Sequence, residues 1–355
     1  MGGEVPPAYP INITLMTLAI FERLFLNGFE ESKDMLAPSD LKSIIHSKRS
    51  NIYYLEYCRV MQKDGRVLYL TEASKENLYF NIPIANTTVI MLGNGTSITQ
   101  AAMRLLSQAG VLVGFCGGGG TPLYMGTEIE WLTPQSEYRP TEYLQGWVSF
   151  WFNEDQRLNA GKQIQDARIK YLSKVWQNDR DLKNEGFLVS HELIHNALNN
   201  FKNRTNNAKS SNELLLSEAQ LTKVLYKFAS RHTGIEKFKR QYQSNEVAND
   251  FLNHGNYLAY GLAASCLWVL GIPHGFAVMH GKTRRGALVF DVADIIKDTL
   301  VLPWAFICAK EKANQKTFRQ QILQAFVDHK ALDYMFNTVK SIALQNVEPK
   351  NIKDL

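Results

Sequence analysis

The sequence predicts an α+β protein in which a β-rich N-terminal domain precedes a larger, all-helical C-terminal domain. Three observations predict it. Strand-like runs separated by tight turns occupy residues 51–128. After Thr133-Pro134 and Arg139-Pro140 the chain turns into long stretches of helix formers nearly free of breakers. At 355 residues it also exceeds what one hydrophobic core usually serves. The expected division is 1–35 as an N-terminal extension, 36–130 as the β-rich domain, 131–142 as a linker and 143–355 as the helical domain.

In the first domain, residues 52–57, 66–70, 87–92 and 111–115 read as strands because β-branched and aromatic residues dominate them, and Lys63-Asp64-Gly65 reads as a turn. One helix, 97–108, interrupts the series. In the second domain, helices are expected at 143–177, 187–201, 214–230, 247–270, 292–300 and 316–343, with an exposed basic loop at 202–212. Residues 11–29 could form an amphipathic helix.

Apolar residues make up 45% of the chain, enough for two cores, and a formal charge of +5 is too small to mark a nucleic-acid binder by itself. Cys58, Cys116, Cys266 and Cys308 form no CxxC pair and sit mostly in apolar runs, which fits a reducing cytosol. The apolar stretch 13–21 is short and is broken by Glu22 and Arg23, so neither a signal peptide nor a membrane span is expected.

The candidate chemistry begins with Glu218, an acid within the apolar stripe Leu214, Leu221, Leu225, Phe228 of one predicted helix. A buried carboxylate there needs a cation, a basic partner or a proton; the plainer account is a ragged stripe with Glu218 half exposed. His280 ends the apolar segment 271–280, where an imidazole is either a ligand or a satisfied core group. Asp291, Asp294 and Asp298 fall at i, i+3 and i+7, so they share a helix face that is either a site or a solvated acidic surface.

One Glu, one His and one or two Asp together suit magnesium or, with the imidazole, manganese. Basic residues adjoin each position: Lys223, Lys227 and Arg231 follow Glu218, Lys282, Arg284 and Arg285 follow His280, and Lys297 follows Asp294. A polyanion would be well received there, although loop cations are often only solubilising. Asn249 and Asn253, at i and i+4, either orient ligands or bond within the helical core.

Two other motifs compete. His191-Glu192-Leu193-Ile194-His195 matches HExxH, which on a helix offers two zinc ligands and a general base for peptide hydrolysis. The extended form fails, because Leu198 and Phe201 stand where a glycine and a third histidine belong. The glycines at 117–120 and Gly93-Asn94-Gly95 lack the phosphate-loop pattern and read as turns.

Taken in order, five segments resemble the CRISPR-associated integrase and endonuclease of the adaptation machinery, the Cas-one family, within it subtype I-F. They are Leu92-Gly93-Asn94-Gly95-Thr96-Ser97 leading to Gly110-Val111-Leu112-Val113; Ser217-Glu218-Ala219; Ala248-Asn249 with Leu252-Asn253; Gly275-Phe276 with His280; and Leu288-Val289-Phe290-Asp291-Val292-Ala293-Asp294. The resemblance covers roughly 39–343.

It implies a β-sandwich-like N-terminal domain that dimerises and a helical domain that is catalytic. It implies Glu218, His280 and Asp294 as catalytic metal ligands, with Asp291, Asn249 and Asn253 in support, and places Lys297 at a basic position beside them. The reaction implied is insertion of spacer DNA into a CRISPR repeat by 3′-hydroxyl attack, in a prokaryotic cytoplasm, with magnesium or manganese. The implied partners are double-stranded DNA, a second copy of the chain and the Cas-two component as a Cas-two/Cas-three fusion. An HExxH zinc peptidase and a non-catalytic DNA-binding scaffold are the alternatives.

Overall fold

The computed structural model describes residues 51–73, 76–117, 129–134, 141–235, 238–241, 246–281 and 286–345. The extension expected at 1–35, most of the glycine run at 117–120, and Lys282, Arg284 and Arg285 lie outside them. The chain divides into two compact units between residues 136 and 137.

The first unit holds β1 (Asn51–Leu55), β2 (Arg59–Lys63), β3 (Arg66–Ala73), β4 (Glu76–Ile82), β5 (Thr87–Leu92), β6 (Ser97–Ile98), α1 (Gln100–Gln108), β7 (Leu112–Phe115) and β8 (Glu130–Leu132). Two four-stranded sheets form, in the orders β1-β5-β7-β8 and β4-β3-β2-β6. Strand β5, Thr-Thr-Val-Ile-Met-Leu, is buried along its whole length because it lies between two parallel neighbours, β1 and β7.

The β2–β3 hairpin turns on Asp64 (φ 50°) and Gly65 (φ 73°), the two left-handed residues that a two-residue turn matching strand twist requires. Val60, Val67 and Tyr69 from one sheet and Leu55, Ile90, Leu92 and Val113 from the other share one buried cluster with Ala102 and Leu106 of α1. The unit is thus sandwich-like. Helix α1 starts at residue 100 rather than 97, because Ser97 and Ile98 pair with β2 and Thr99 caps the helix by accepting from Ala102 N at 3.3 Å.

The second unit holds α2 (Glu142–Trp151), α3 (Glu154–Asn178), α4 (Arg180–Asn184), α5 (Glu192–Asn207), α6 (Ser211–Thr233), α7 (Val247–Val269), α8 (Ala287–Ile296), a π turn (Lys297–Val301), α9 (Leu302–Lys310), α10 (Gln315–Asp328) and α11 (Ala331–Leu344). The expected helix 143–177 is two, because Asn153 accepts from Gln156 N at 3.0 Å and starts a new helix. The basic loop expected at 202–212 is mostly helix. Ile194, Leu198, Phe201 and Thr205 carry one buried stripe to the end of α5, and the lysines and asparagines are its exposed face.

The helix expected at 292–300 instead runs as α8, the π turn and α9. Pro303 has no N–H to offer the Thr299 carbonyl, and Trp176 Nε1 donates to that carbonyl at 2.9 Å. The expected helix 316–343 breaks at Lys330 (φ 53°). Helix α7 is buried on most of its circumference, and Gly255 lets it approach the π turn: a Cβ there would meet Val301 Cγ1 at 2.5 Å. Among the described residues no helix is long and apolar enough to cross a membrane. All four cysteines are free and buried.

Candidate metal centre

Helix α6 opens on Ser210, whose hydroxyl accepts from Glu213 N at 3.3 Å, and closes on Gly234 (φ 71°). Its inward side is apolar through Leu214, Leu221, Leu225 and Phe228, with Glu218 beside that stripe, its side chain only 16% exposed. Helix α8 supplies Asp294, which is 1% exposed.

His280 ends the non-helical segment between α7 and α8, and that segment is held on both its backbone edges. Trp147 Nε1 donates to the Phe276 carbonyl (3.0 Å), Trp151 Nε1 to that of Ala277 (2.7 Å) and Ser211 Oγ to that of Val278 (3.3 Å). The result is that Glu218, His280 and Asp294, spread over 77 positions of sequence, offer ligand atoms all within 4.8 Å of one another. Among the described residues this is the one such group of three His, Cys, Asp or Glu side chains.

Asp291, fully buried, receives the other edge of the segment. Its Oδ2 accepts from Val278 N (2.8 Å) and Met279 N (3.1 Å), and its Oδ1 from His280 N (3.0 Å) and His280 Nδ1 (2.6 Å). One carboxylate thus shapes the chain around His280 and orients its ring. Asp291, Asp294 and Asp298 do share a side of the helix, and that side is interior: all three are buried, so the solvated acidic surface is excluded.

Two residues of the site escaped the sequence reading. Arg168 of α3, 2% exposed, donates from Nε to Asp298 Oδ2 at 3.0 Å, pairs with the same oxygen through Nη2, donates to Thr222 Oγ1 at 3.0 Å and lies 3.4 Å from Glu218 Oε2. Gln165, one turn earlier, donates to Glu218 Oε2 at 2.8 Å and contacts Met279 Sδ at 3.2 Å. Both sit on the buried stripe of α3 with Gly161, Ile164 and Leu172, the same signal of a polar group in an apolar row that marked Glu218.

The electrostatics separate the two carboxyl groups. Burial, reinforced by Asp294, pushes Glu218 above the ordinary carboxylate range against the pull of Arg168, Lys297 and His280. Burial alone would raise Asp294 too, but Lys297, Arg168 and His280 together bring it below its usual value. Burial disfavours the His280 imidazolium, yet its hydrogen bond to Asp291 and the charges of Asp294, Asp291 and Glu218 raise it overall.

Lys297, expected to contact DNA, points inward instead. It pairs with Asp294 Oδ1 and lies 5.3 Å from the centroid of the Tyr260 ring. Asp294 Oδ2 is buried with no hydrogen-bond partner among the described residues. An orphaned carboxylate oxygen beside a second carboxylate and an oriented imidazole is the donor set of a hard or borderline divalent cation, so the residues fit magnesium or manganese.

The other expected positions separate. Lys223 and Lys227 are exposed on α6 beyond Glu218. Asn249 spends its amide elsewhere, accepting from Arg240 Nη1 (3.1 Å) and Gln241 N (3.0 Å) and donating to Lys239 O (3.0 Å) and Glu246 Oε2 (3.0 Å). Asn253 accepts from Arg240 Nη2 at 2.7 Å. In the HExxH segment His191 is a helix cap that accepts from Leu193 N at 3.2 Å and packs on Phe228, while exposed His195 bonds Asn199 at 2.9 Å. No third ligand joins them among the described residues.

The family model for CRISPR associated protein Cas1 matches residues 52–339. A CRISPR-associated endonuclease Cas1 of Pectobacterium atrosepticum is 52% identical over 313 residues, covering 86% of this chain and 96% of its own. The chain belongs to the Cas1 family. A second Cas1 endonuclease, from Pseudomonas aeruginosa, is 53% identical over 316 residues, covering 87% and 98%. A crystal structure of a Cas1–DNA complex aligns with a TM-score of 0.59 at 20% identity, covering 86% of this chain and 97% of that one, so the two share the Cas1 fold.

Proposed function

We propose that this Cas1 protein is a metal-dependent DNA endonuclease and integrase that inserts spacer DNA into a CRISPR array by attack of a 3′-hydroxyl on a phosphodiester. The convergence of Glu218, His280 and Asp294 within 4.8 Å carries the reading. These three hold Mg2+ or Mn2+. Bound there, the ion supplies charge neutralisation at the phosphodiester and activation of the attacking hydroxyl.

The chain's own residues do the rest. Asp291 keeps the His280 Nδ1 proton and so leaves Nε2 as the lone-pair nitrogen. Gln165 and Arg168 hold the Glu218 carboxylate by Oε2. Lys297 neutralises Asp294 when no metal does. Lys223 and Lys227, with Lys282, Arg284 and Arg285 from their place just after His280 in the sequence, contact the DNA backbone.

The reading includes subtype I-F membership, a cytoplasmic location in keeping with four free buried cysteines, and a homodimer through the β-rich unit, whose edge strand β4 exposes Leu78 and Tyr79. It also includes the Cas-two component, as its fusion with Cas-three, as partner, and the CRISPR repeat and spacer duplexes as substrates. The test is joining of a short duplex to a supercoiled plasmid carrying the repeat, with Mg2+ or Mn2+. Loss of product in Glu218→Ala, His280→Ala and Asp294→Ala is expected; normal joining by all three would remove the reading.

A further inference from the structure

A cationic cleft along α6, beyond Glu218 on that helix, explains what Asn249 and Asn253 are for. The cleft, of about 770 Å³, is lined by five cations, Lys223, Lys227, Arg231, Lys239 and Arg240, and none of its described lining residues is acidic. Lys223, Lys227 and Arg231 stand at i, i+4 and i+8, a ridge roughly 12 Å long on the exposed face of α6. The ridge starts five residues after Glu218, about 7–8 Å along the helix.

Phe238, Lys239 and Arg240 also line the cleft, and the first two turns of α7 fix their segment in place. Asn249, fully buried, uses both amide hydrogens and its oxygen on Lys239 O, Glu246 Oε2, Gln241 N and Arg240 Nη1. Asn253 Oδ1 takes Arg240 Nη2. Neutral amides can hold a guanidinium in one orientation without cancelling its charge, as a carboxylate would. Tyr226, which also lines the cleft, bonds Arg240 and feels the charges of Asp298 and Lys297.

We propose that this cleft grips the phosphate backbone of the DNA strand running away from the reacting bond, and that Asn249 and Asn253 are positioning residues that aim Arg240 at it. A ridge of evenly spaced exposed cations suits a polyanion better than a small anion, which would need a few converging donors in a closed pocket. The proposal rests on DNA being the substrate, and it moves the two asparagines from the metal to the strand.

The experiment measures binding of a fluorescent short DNA duplex to the full chain over a salt series, with Mn2+ calorimetry alongside. Arg240→Ala is expected to weaken DNA binding about tenfold and to lower the slope of log affinity against log salt by about one. Asn253→Ala is expected to weaken it about threefold, to add nothing to Arg240→Ala, and to leave Mn2+ affinity unchanged. Lys223→Gln with Lys227→Gln, exposed and harmless to folding, is expected to lower the slope by about two.

Asn253→Ala that loses Mn2+ affinity while binding DNA normally would overturn the positioning role. An unchanged salt slope in the double lysine variant would overturn the cleft. Equal protection of inorganic triphosphate and DNA binding in competition would make it a small-anion site and overturn the strand assignment. If the unaltered protein binds no DNA, the proposed function itself falls; if it binds and the variants match it, only the cleft does.

Discussion

His280 Nδ1 lies 2.6 Å from Asp291 Oδ1, and the same carboxylate takes the backbone N–H groups of Val278, Met279 and His280. A carboxylate can only accept, so the ring proton is on Nδ1 and Nε2 is free to bind a cation.

Asp291→Asn therefore tests how far that orientation matters. The amide offers one acceptor where two oxygens served four donors, so part of the 278–280 backbone and the His280 ring lose their partner. Mn2+ affinity is expected to fall by about 10–100-fold with Glu218 and Asp294 untouched. Calorimetry that finds wild-type affinity would show that the ring is held by other means.

The metal-free centre should be pH dependent in a definite direction. Burial opposes the His280 imidazolium but its carboxylate neighbours raise it above 6.5, so protonated His280 adds stability that is complete below about pH 6.5 and is lost as pH climbs through the raised value. A divalent cation needs the neutral ring. Mn2+ affinity is thus expected to rise as pH climbs above about 6.5 through the raised value, and stability of the metal-free protein attributable to His280 to fall over the same range. His280→Asn should flatten the metal-free stability profile there; an unflattened profile would locate the titration elsewhere.

Arg168 is the counter-ion of a buried pair of acids. Arg168→Leu leaves Asp298 and Glu218 without it, and breaking a buried pair from one side costs roughly 3–5 kcal/mol. Urea denaturation should read that loss. Adding Asp298→Asn should recover part of it, since the uncompensated charge is then gone. Loss under about 1 kcal/mol in the single variant would mean that water reaches the pair.

How much of this was legible depended on whether a residue's partners were local. Asp64-Gly65 announced its hairpin because a two-residue turn is a local requirement. Glu218 stood out as an acid on an apolar helix face and Asp294 as one of three acids sharing a face, patterns that one helix reveals. Gln165 and Arg168 carry the same mark, but their face emerges only once Asn153 is seen to start a separate helix α3.

The asparagines were legible as a polar pair and not in their role, because Arg240 reaches them from a segment whose path the sequence does not encode locally. The π turn was hidden for a similar reason. Pro303 signals a helix stop, and the Trp176 indole that satisfies the Thr299 carbonyl comes from 123 residues away.

Gly255 is a packing prediction independent of the chemistry. Its missing side chain allows α7 to lie against Val301 of the π turn, where a Cβ would come within 2.5 Å of Cγ1 and 3.0 Å of Phe318 Cζ. Val301 is β-branched and cannot turn away. Gly255→Ala is expected to lose about 1–3 kcal/mol despite the better helix propensity of alanine, and thermal unfolding that shows a gain would mean the two elements separate freely.

Lys297 makes the last prediction, because it and the metal answer the same need. Asp294 is buried and ionised, and the first charge that keeps it so is the Lys297 ammonium paired with its Oδ1. Lys297→Met removes that charge and keeps most of the stem. In the metal-free protein Asp294 then faces burial with less compensation, so stability should drop by roughly 3–5 kcal/mol. A divalent ion held by Glu218, His280 and Asp294 would restore the missing charge, so the rise in Tm on adding Mn2+ should be larger in Lys297→Met than in the unaltered protein. Equal shifts in the two would mean that Lys297 and the cation do not share Asp294, and the ligand assignment would have to move off that carboxylate.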